Sequence, residues 1–147
     1  MKLPYTINIK MKIVISPSKS DIFSQILQGL QKFSTEINFN FSNEELYIQA
    51  MDASHCSIFD MKIKKEWFEL FEVDDNNTMG MNVSILYRIF HTRESSQKIV
   101  LEMEENADKL NIDFENTDKT NKLAFPRSYE VPLMDLETDV LHIPECT

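Results

Sequence analysis

Ile7, Ile9, Met11, Ile13 and Ile15 fall on one side of a period-two pattern at the head of the chain, which predicts a half-buried strand. Pro17 closes it. Ser18-Lys19-Ser20-Asp21 then reads as a helix start, with Ser18 as N-cap and Asp21 in the first turn, where the backbone dipole favours a carboxylate. Ile22, Phe23, Ile26, Leu27, Leu30 and Phe33 recur at helical spacing, while Lys19, Gln25, Gln28, Gln31 and Lys32 fall largely on the other side. The spacing predicts an amphipathic helix with a polar, weakly charged outer face. Ile37, Phe39 and Phe41 alternate as a short strand, closed by a turn at Ser42-Asn43-Glu44-Glu45. Two apolar runs, 46–51 and 56–63, flank Asp52-Ala53-Ser54, where Asp and Ser can bond their own backbone and so favour a turn. Residues 67–73 offer another strand before the turn-rich 74–77.

The second half repeats this order. Met79, Met81 and Val83 predict a short strand, Asn82 an N-cap, and Leu86, Ile89 and Phe90 a short helix whose polar side carries Ser84, Arg88 and His91. Residues 98–104 and 109–115 form a hairpin pattern, with Leu110, Ile112 and Phe114 alternating against polar neighbours, one face buried and one wet. A last strand over 122–133 carries Pro126 and Pro132, which belong at a sheet edge because proline cannot donate to a ladder. The chain is thus a pseudo-repeat of one strand-helix-strands unit. The fold class is α+β, with two helices on one face of mostly antiparallel sheet. A domain over 1–133 precedes an acidic, turn-like linker over 134–147, where Asp135, Glu137, Asp139 and Glu145 surround Leu136, Leu141 and Ile143.

With 147 residues the chain can bury ~68–70% of its unfolded surface, enough for a core without staples. Cys56 and Cys146 are far apart and form no CxxC pair, so neither a disulfide framework nor a zinc site is indicated. No apolar run approaches the ~18 residues of a membrane span, so a membrane partner is not expected. The formal charge of −9 argues against a surface basic all over, so any nucleic acid must be met by one local patch.

Candidate chemistry is sparse. Successive strand residues point to opposite faces, so if His55 and Cys56 lie in one strand the imidazole cannot readily reach the neighbouring thiol. His55, His91 and His142 include no i,i+4 pair and indicate ordinary structural or surface histidines rather than a metal site. Only Gly29 and Gly80 are present, which excludes a glycine-rich phosphate cradle. No cofactor is indicated, and an enzyme is not expected.

Four segments carry a resemblance. Gln49 to His55 within LYIQAMDASHCSIFD is similar to "QAMDSSH" in the first domain of the eukaryotic sliding DNA clamp family, proliferating cell nuclear antigen. Residues 79–83 resemble that family's "AMGVNL", residues 104–110 its "AEDNADTL", and residues 129–136 running on to 141–145 its "YEMKLMDL…LGIPE". The wording looks eukaryotic or eukaryote-virus-like more than archaeal. The resemblance implies a clamp fold and a non-enzymatic processivity factor: a ring that encircles duplex DNA, is placed there by a clamp loader, and recruits DNA polymerase and other replication and repair proteins at nuclear or viral replication sites. Family members are about twice as long, with a second clamp domain after the linker, expected to be absent from this chain. The full-length form would be a homotrimer and this piece a monomer or weak dimer.

Residue roles follow from the same resemblance. Met51, His55 and Ile58 match the groove that accepts a partner's clamp-binding motif, with Leu141, Ile143 and Pro144 of the linker lining its other side. Arg88 and His91 match basic, DNA-facing positions, with Lys19, Lys32 and Arg93 as nearby candidates. Family lysines of the first helix are replaced by Ser24, Gln25 and Gln31, which implies weak DNA contact. Tyr129 matches a subunit-interface position. The alternative reading is an acidic clamp-like interaction module or decoy with no DNA role.

Overall fold

The strands of the computed structural model, which describes residues 9–52, 57–74, 76–105, 108–117 and 127–134, form two antiparallel sheets. In chain order the elements are β1 (Ile9–Ile15), α1 (Pro17–Leu30), β2 (Glu36–Phe41), β3 (Glu45–Met51), β4 (Ile58–Lys64), β5 (Leu70–Val73), β6 (Asn77–Asn82), α2 (Val83–His91), β7 (Gln97–Glu104), β8 (Lys109–Asn116) and β9 (Arg127–Pro132). A single 3₁₀ turn at Lys65–Trp67 occupies the start of the stretch expected as strand from Trp67, so that strand is confined to β5.

The pairing explains the pseudo-repeat. One sheet runs β4-β3-β2-β6 and the other β5-β1-β7-β8-β9. Each unit therefore lends its first strand to the other: β1, which precedes α1, pairs with β7, and β6, which precedes α2, pairs with β2. Registers such as Ile13↔Leu101 and Ile37↔Met81 keep the apolar set of both strands on one face, and a slip of one residue would turn that set to solvent. Past β9, Met134 donates its N–H to the Gly80 carbonyl at 2.8 Å and forms a bridge on the free side of β6, tying the end of one sheet to the edge of the other.

The inner faces of both sheets and both helices share one core. Phe39, Phe114, Ile13, Leu27, Ile48 and Ile99 are among its fully buried members. The helices pack side by side, with Phe23 and Phe90 ring centroids 5.7 Å apart; α1 also rests on β7 and α2 on β6.

The start of α1 differs from expectation. Ser16, not Ser18, is the N-cap, without a side-chain cap bond, and Pro17 takes the first helical position. Proline has its φ preset for that position and no N–H to leave unpaired, so it begins the helix as well as ending the strand. Ser18 lies inside the first turn, which holds no acidic residue, so Asp21 is not dipole-placed. The helix ends at Leu30, before Phe33, whose ring packs 5.5 Å from Phe59 instead. The expectation for α2 holds: the Asn82 side chain accepts from the Ile85 N–H at 3.2 Å.

Candidate nucleic-acid interface and partner groove

The exposed side of the helix pair carries Gln25, Gln28 and Lys32 from α1 and its flank, and Arg88 and His91 from α2. Two apolar side chains share it, Ile22 at 48% and Ile85 at 42% exposure. The sequence pattern placed Ile22 in the core, but at that exposure it faces solvent. Lys32 and Arg88 form no ion pair among the described residues, so both charges face solvent.

The other two cations of the expected set are committed within the fold. The Lys19 ammonium donates to the Trp67 carbonyl at 2.7 Å and lies 5.5 Å from the centre of the Trp67 ring, pinning the first turn of α1 to the 3₁₀ turn. Arg93 follows α2 with its side chain only 4% exposed; it donates to the carbonyls of Glu94 and Gln97, both at 2.8 Å, and pairs with the Asp21 carboxylate. Asp21 lies near the start of α1 and Arg93 just past the end of α2, so the pair ties together helices that run antiparallel. Nothing local in the sequence signals this contact across 72 positions.

Of the groove residues, Met51 and Ile58 sit directly opposite each other at the loop end of the β3–β4 hairpin, both half-buried. Ile48 and Ala50 point into the core, so the alternation of β3 turns Met51 to the sheet's outer face together with Tyr47 and Gln49. Asp52 closes the hairpin, its N–H donating to the Ser57 carbonyl and its carboxylate accepting from the Ser57 N–H, each at 3.1 Å. His55, Leu141, Ile143 and Pro144 lie outside the described residues, as do Pro126 and the rest of the linker expected over 134–147 beyond Met134.

Tyr129 occupies β9, the terminal strand of its sheet, but its ring turns inward, 5.7 Å from Phe114, and its hydroxyl is 2.9 Å from the Thr92 hydroxyl at the end of α2. The strand edge is thereby coupled to the helix layer. No group of three or more metal-ligating side chains occurs among the described residues, and no described helix is long and apolar enough to cross a membrane.

Two interleaved strand-helix-strands units, with paired helices against two antiparallel sheets, define the class: an α+β domain of the DNA-clamp fold. The chain belongs to the family described as proliferating cell nuclear antigen, N-terminal domain, whose model matches residues 15–142. The family is non-enzymatic. Among solved structures, the chain is similar to proliferating cell nuclear antigen from Thermococcus kodakaraensis, with a TM-score of 0.79 and 18% identity over 92% of this chain. The match spans 51% of that longer chain, so this chain covers about half its length.

Proposed function

We propose that this chain supplies the first domain of a sliding clamp, a DNA polymerase processivity factor whose ring encloses duplex DNA and recruits replication and repair proteins. The family match over residues 15–142 carries this reading. Of the four terminal strands, β4 and β9 agree with it, because each offers a ladder unpaired among the described residues to which a second clamp domain or a neighbouring subunit can add. In the ring, Lys32 and Arg88 with His91 face the phosphates, while Lys19 and Arg93 hold the helices that present them. Tyr129 contributes to the subunit interface through the edge strand it anchors. The place of action is a replication site, nuclear or viral.

Met51 and Ile58 form the floor of the partner groove, with His55 beside them and Leu141, Ile143 and Pro144 as its other wall. A few buried apolar anchors dominate binding in such grooves, and an extended linker can pair with the partner's backbone. Titrating a peptide of the glutamine-plus-aromatic clamp-binding type should shift the methyl resonances of Met51 and Ile58. Ile143→Ala or Leu141→Ala should weaken binding by roughly fivefold or more, the scale of a truncated hot-spot anchor. Absence of any shift at Met51 and Ile58 would sink the groove assignment. The competing reading, a decoy without a DNA role, is separated by retention on closed circular duplex in the presence of a clamp loader: a clamp is retained until the circle is cut, a decoy is not.

A further inference from the structure

The free edge of β9 is short. Leu133 donates its N–H to the Asp108 carbonyl at 2.8 Å, in register with the β8–β9 ladder. Backbone groups along a strand point alternately to its two sides, so Arg127, Tyr129 and Val131 turn theirs to β8, while Ser128, Glu130 and Pro132 turn theirs to the free side. Proline has no N–H, which leaves two free donors, those of Ser128 and Glu130. Past Pro132 the free side is taken, because Met134 bonds Gly80 of β6. A strand added here gains few main-chain bonds, so its side chains must supply the selectivity.

Those side chains meet an asymmetric edge. On the outer face the carboxylates are already held: Glu130 pairs with Lys109 at 3.6 Å, and Asp113 accepts from the Ser128 hydroxyl. On the face toward the core and α2, Val131 is buried and the Tyr129 ring packs on Phe114, but Arg127 is exposed and forms no ion pair among the described residues. It is the one charged side chain that β9 turns that way. An inward-pointing charge on an edge strand rejects apolar strands, because pairing would bury it without a partner. Arg127, Tyr129 and Val131 also fall at the non-hydrogen-bonded positions of an added antiparallel strand, where opposed side chains approach most closely.

We propose that Arg127 selects the strand that adds to β9, and that this strand runs antiparallel and carries a carboxylate opposite Arg127. The inference rests on the proposed role of β9 as an interface strand and names the chemistry of its partner. That partner strand alternates, with apolar residues opposite Val131 and Tyr129 and an aspartate or glutamate opposite Arg127.

The test is an amide-resonance titration of the chain with three peptides, acetyl-Val-Thr-Val-Thr-Xaa-amide, in which Xaa is glutamate, glutamine or lysine. The glutamate peptide should shift the Ser128 and Glu130 amides and bind roughly threefold more tightly than the glutamine peptide, the scale of one opposed charge pair on a sheet. The lysine peptide should bind most weakly at these two amides. Arg127→Glu should reverse the order, and unchanged resonances at Phe39 and Ile48, in the other sheet, would show that the variant is folded. Equal shifts by all three peptides would overturn the proposal while leaving β9 an edge that accepts strands. A glutamate preference that survives Arg127→Glu would overturn it as well. No shift at Ser128 and Glu130 with any peptide would overturn both the proposal and the reading of β9 as an interface strand.

Discussion

Replacing Arg93 tests whether that cation holds the fold or serves the proposed DNA-facing set. Arg93→Ala removes two hydrogen bonds of 2.8 Å, to the carbonyls of Glu94 and Gln97, and the ion pair with Asp21. Asp21 is 64% exposed, so the ion pair itself contributes at most about 1 kcal/mol. The carbonyl bonds come from a guanidinium that is 4% exposed, and bonds to a charged group contribute about 1.5–3 kcal/mol each. The Glu94 carbonyl keeps a second donor, the Gln97 N–H at 3.0 Å, which offsets part of its loss. A net cost of about 2–3 kcal/mol follows once non-additivity within one network is allowed for. Arg93→Lys should recover little, because one ammonium cannot reach all three acceptors as the planar fork does. The chain's single tryptophan, Trp67, sits against α1 and gives a fluorescence signal for urea unfolding. With a slope near ~2 kcal/mol/M, the midpoint should fall by about 1–1.5 M at unchanged slope. A variant as stable as the parent, but with a lower salt dependence of duplex binding, would refute the structural role and return Arg93 to the DNA-facing set.

Three further outcomes follow from the packing. Phe114→Ala empties a fully buried site between Phe90 and Tyr129 and should cost about 3–5 kcal/mol in the same urea titration. Asn82→Ala removes the acceptor for the Ile85 N–H and should cost about 1 kcal/mol, whereas Asn82→Asp, which keeps an acceptor oxygen, should stay close to the parent. Burial, reinforced by the hydrogen bond to Asp60 and its charge, raises the Tyr47 phenol above its ordinary 10.0. The folded chain thus holds a proton that the unfolded one releases first, so this contribution is complete below pH 10.0 and fades as pH climbs through the raised value. Stabilities of the parent and Tyr47→Phe, compared by urea titration from neutral pH to above 10.0, should therefore converge as pH rises.

Local periodicity was enough to find both helices and the buried alternations of β1, β2 and β8, because each depends on residues two to four positions apart. It was not enough to find the exchange of β1 and β6 between units. Ile13 meets Leu101 only because the whole chain has folded, and no local pattern distinguishes that partner from a strand nearer in sequence. The same limit explains the cations. Lys19 and Arg93 look in sequence like Lys32 and Arg88, and only Trp67 and Asp21, distant along the chain, separate the committed pair from the free pair. The start of α1 failed for a different reason: Pro17 and Ser18 each carry a start signal, and the preset φ of proline placed the N-cap two residues earlier, at Ser16.

The acidic total and the proposed DNA-facing layer are reconciled by where the charges lie. The outer face of the five-stranded sheet carries Glu72, Glu102, Asp113, Glu115 and Glu130 against Lys12, Lys98 and Lys109, a carboxylate excess, whereas the helix layer presents Lys32 and Arg88 with its one carboxylate, Asp21, already paired. Charges on opposite sides of a domain lie beyond the ~8–10 Å over which salt leaves exposed charges coupled, so the carboxylates do little to cancel those two cations. Two phosphate contacts correspond to a salt slope near ~1.8 for this domain, so raising salt from about 50 to 200 mM should weaken its duplex binding only roughly tenfold. Arg88→Ala and Lys32→Ala should each reduce that slope by about 1, and Arg93→Ala should leave it unchanged. Contact this weak would contribute little affinity for duplex, so if the proposed clamp function holds, retention on DNA would depend on ring closure rather than on this surface. A slope as steep as that of proteins making ~6–10 phosphate contacts would mean that the helix layer is not the surface that meets DNA.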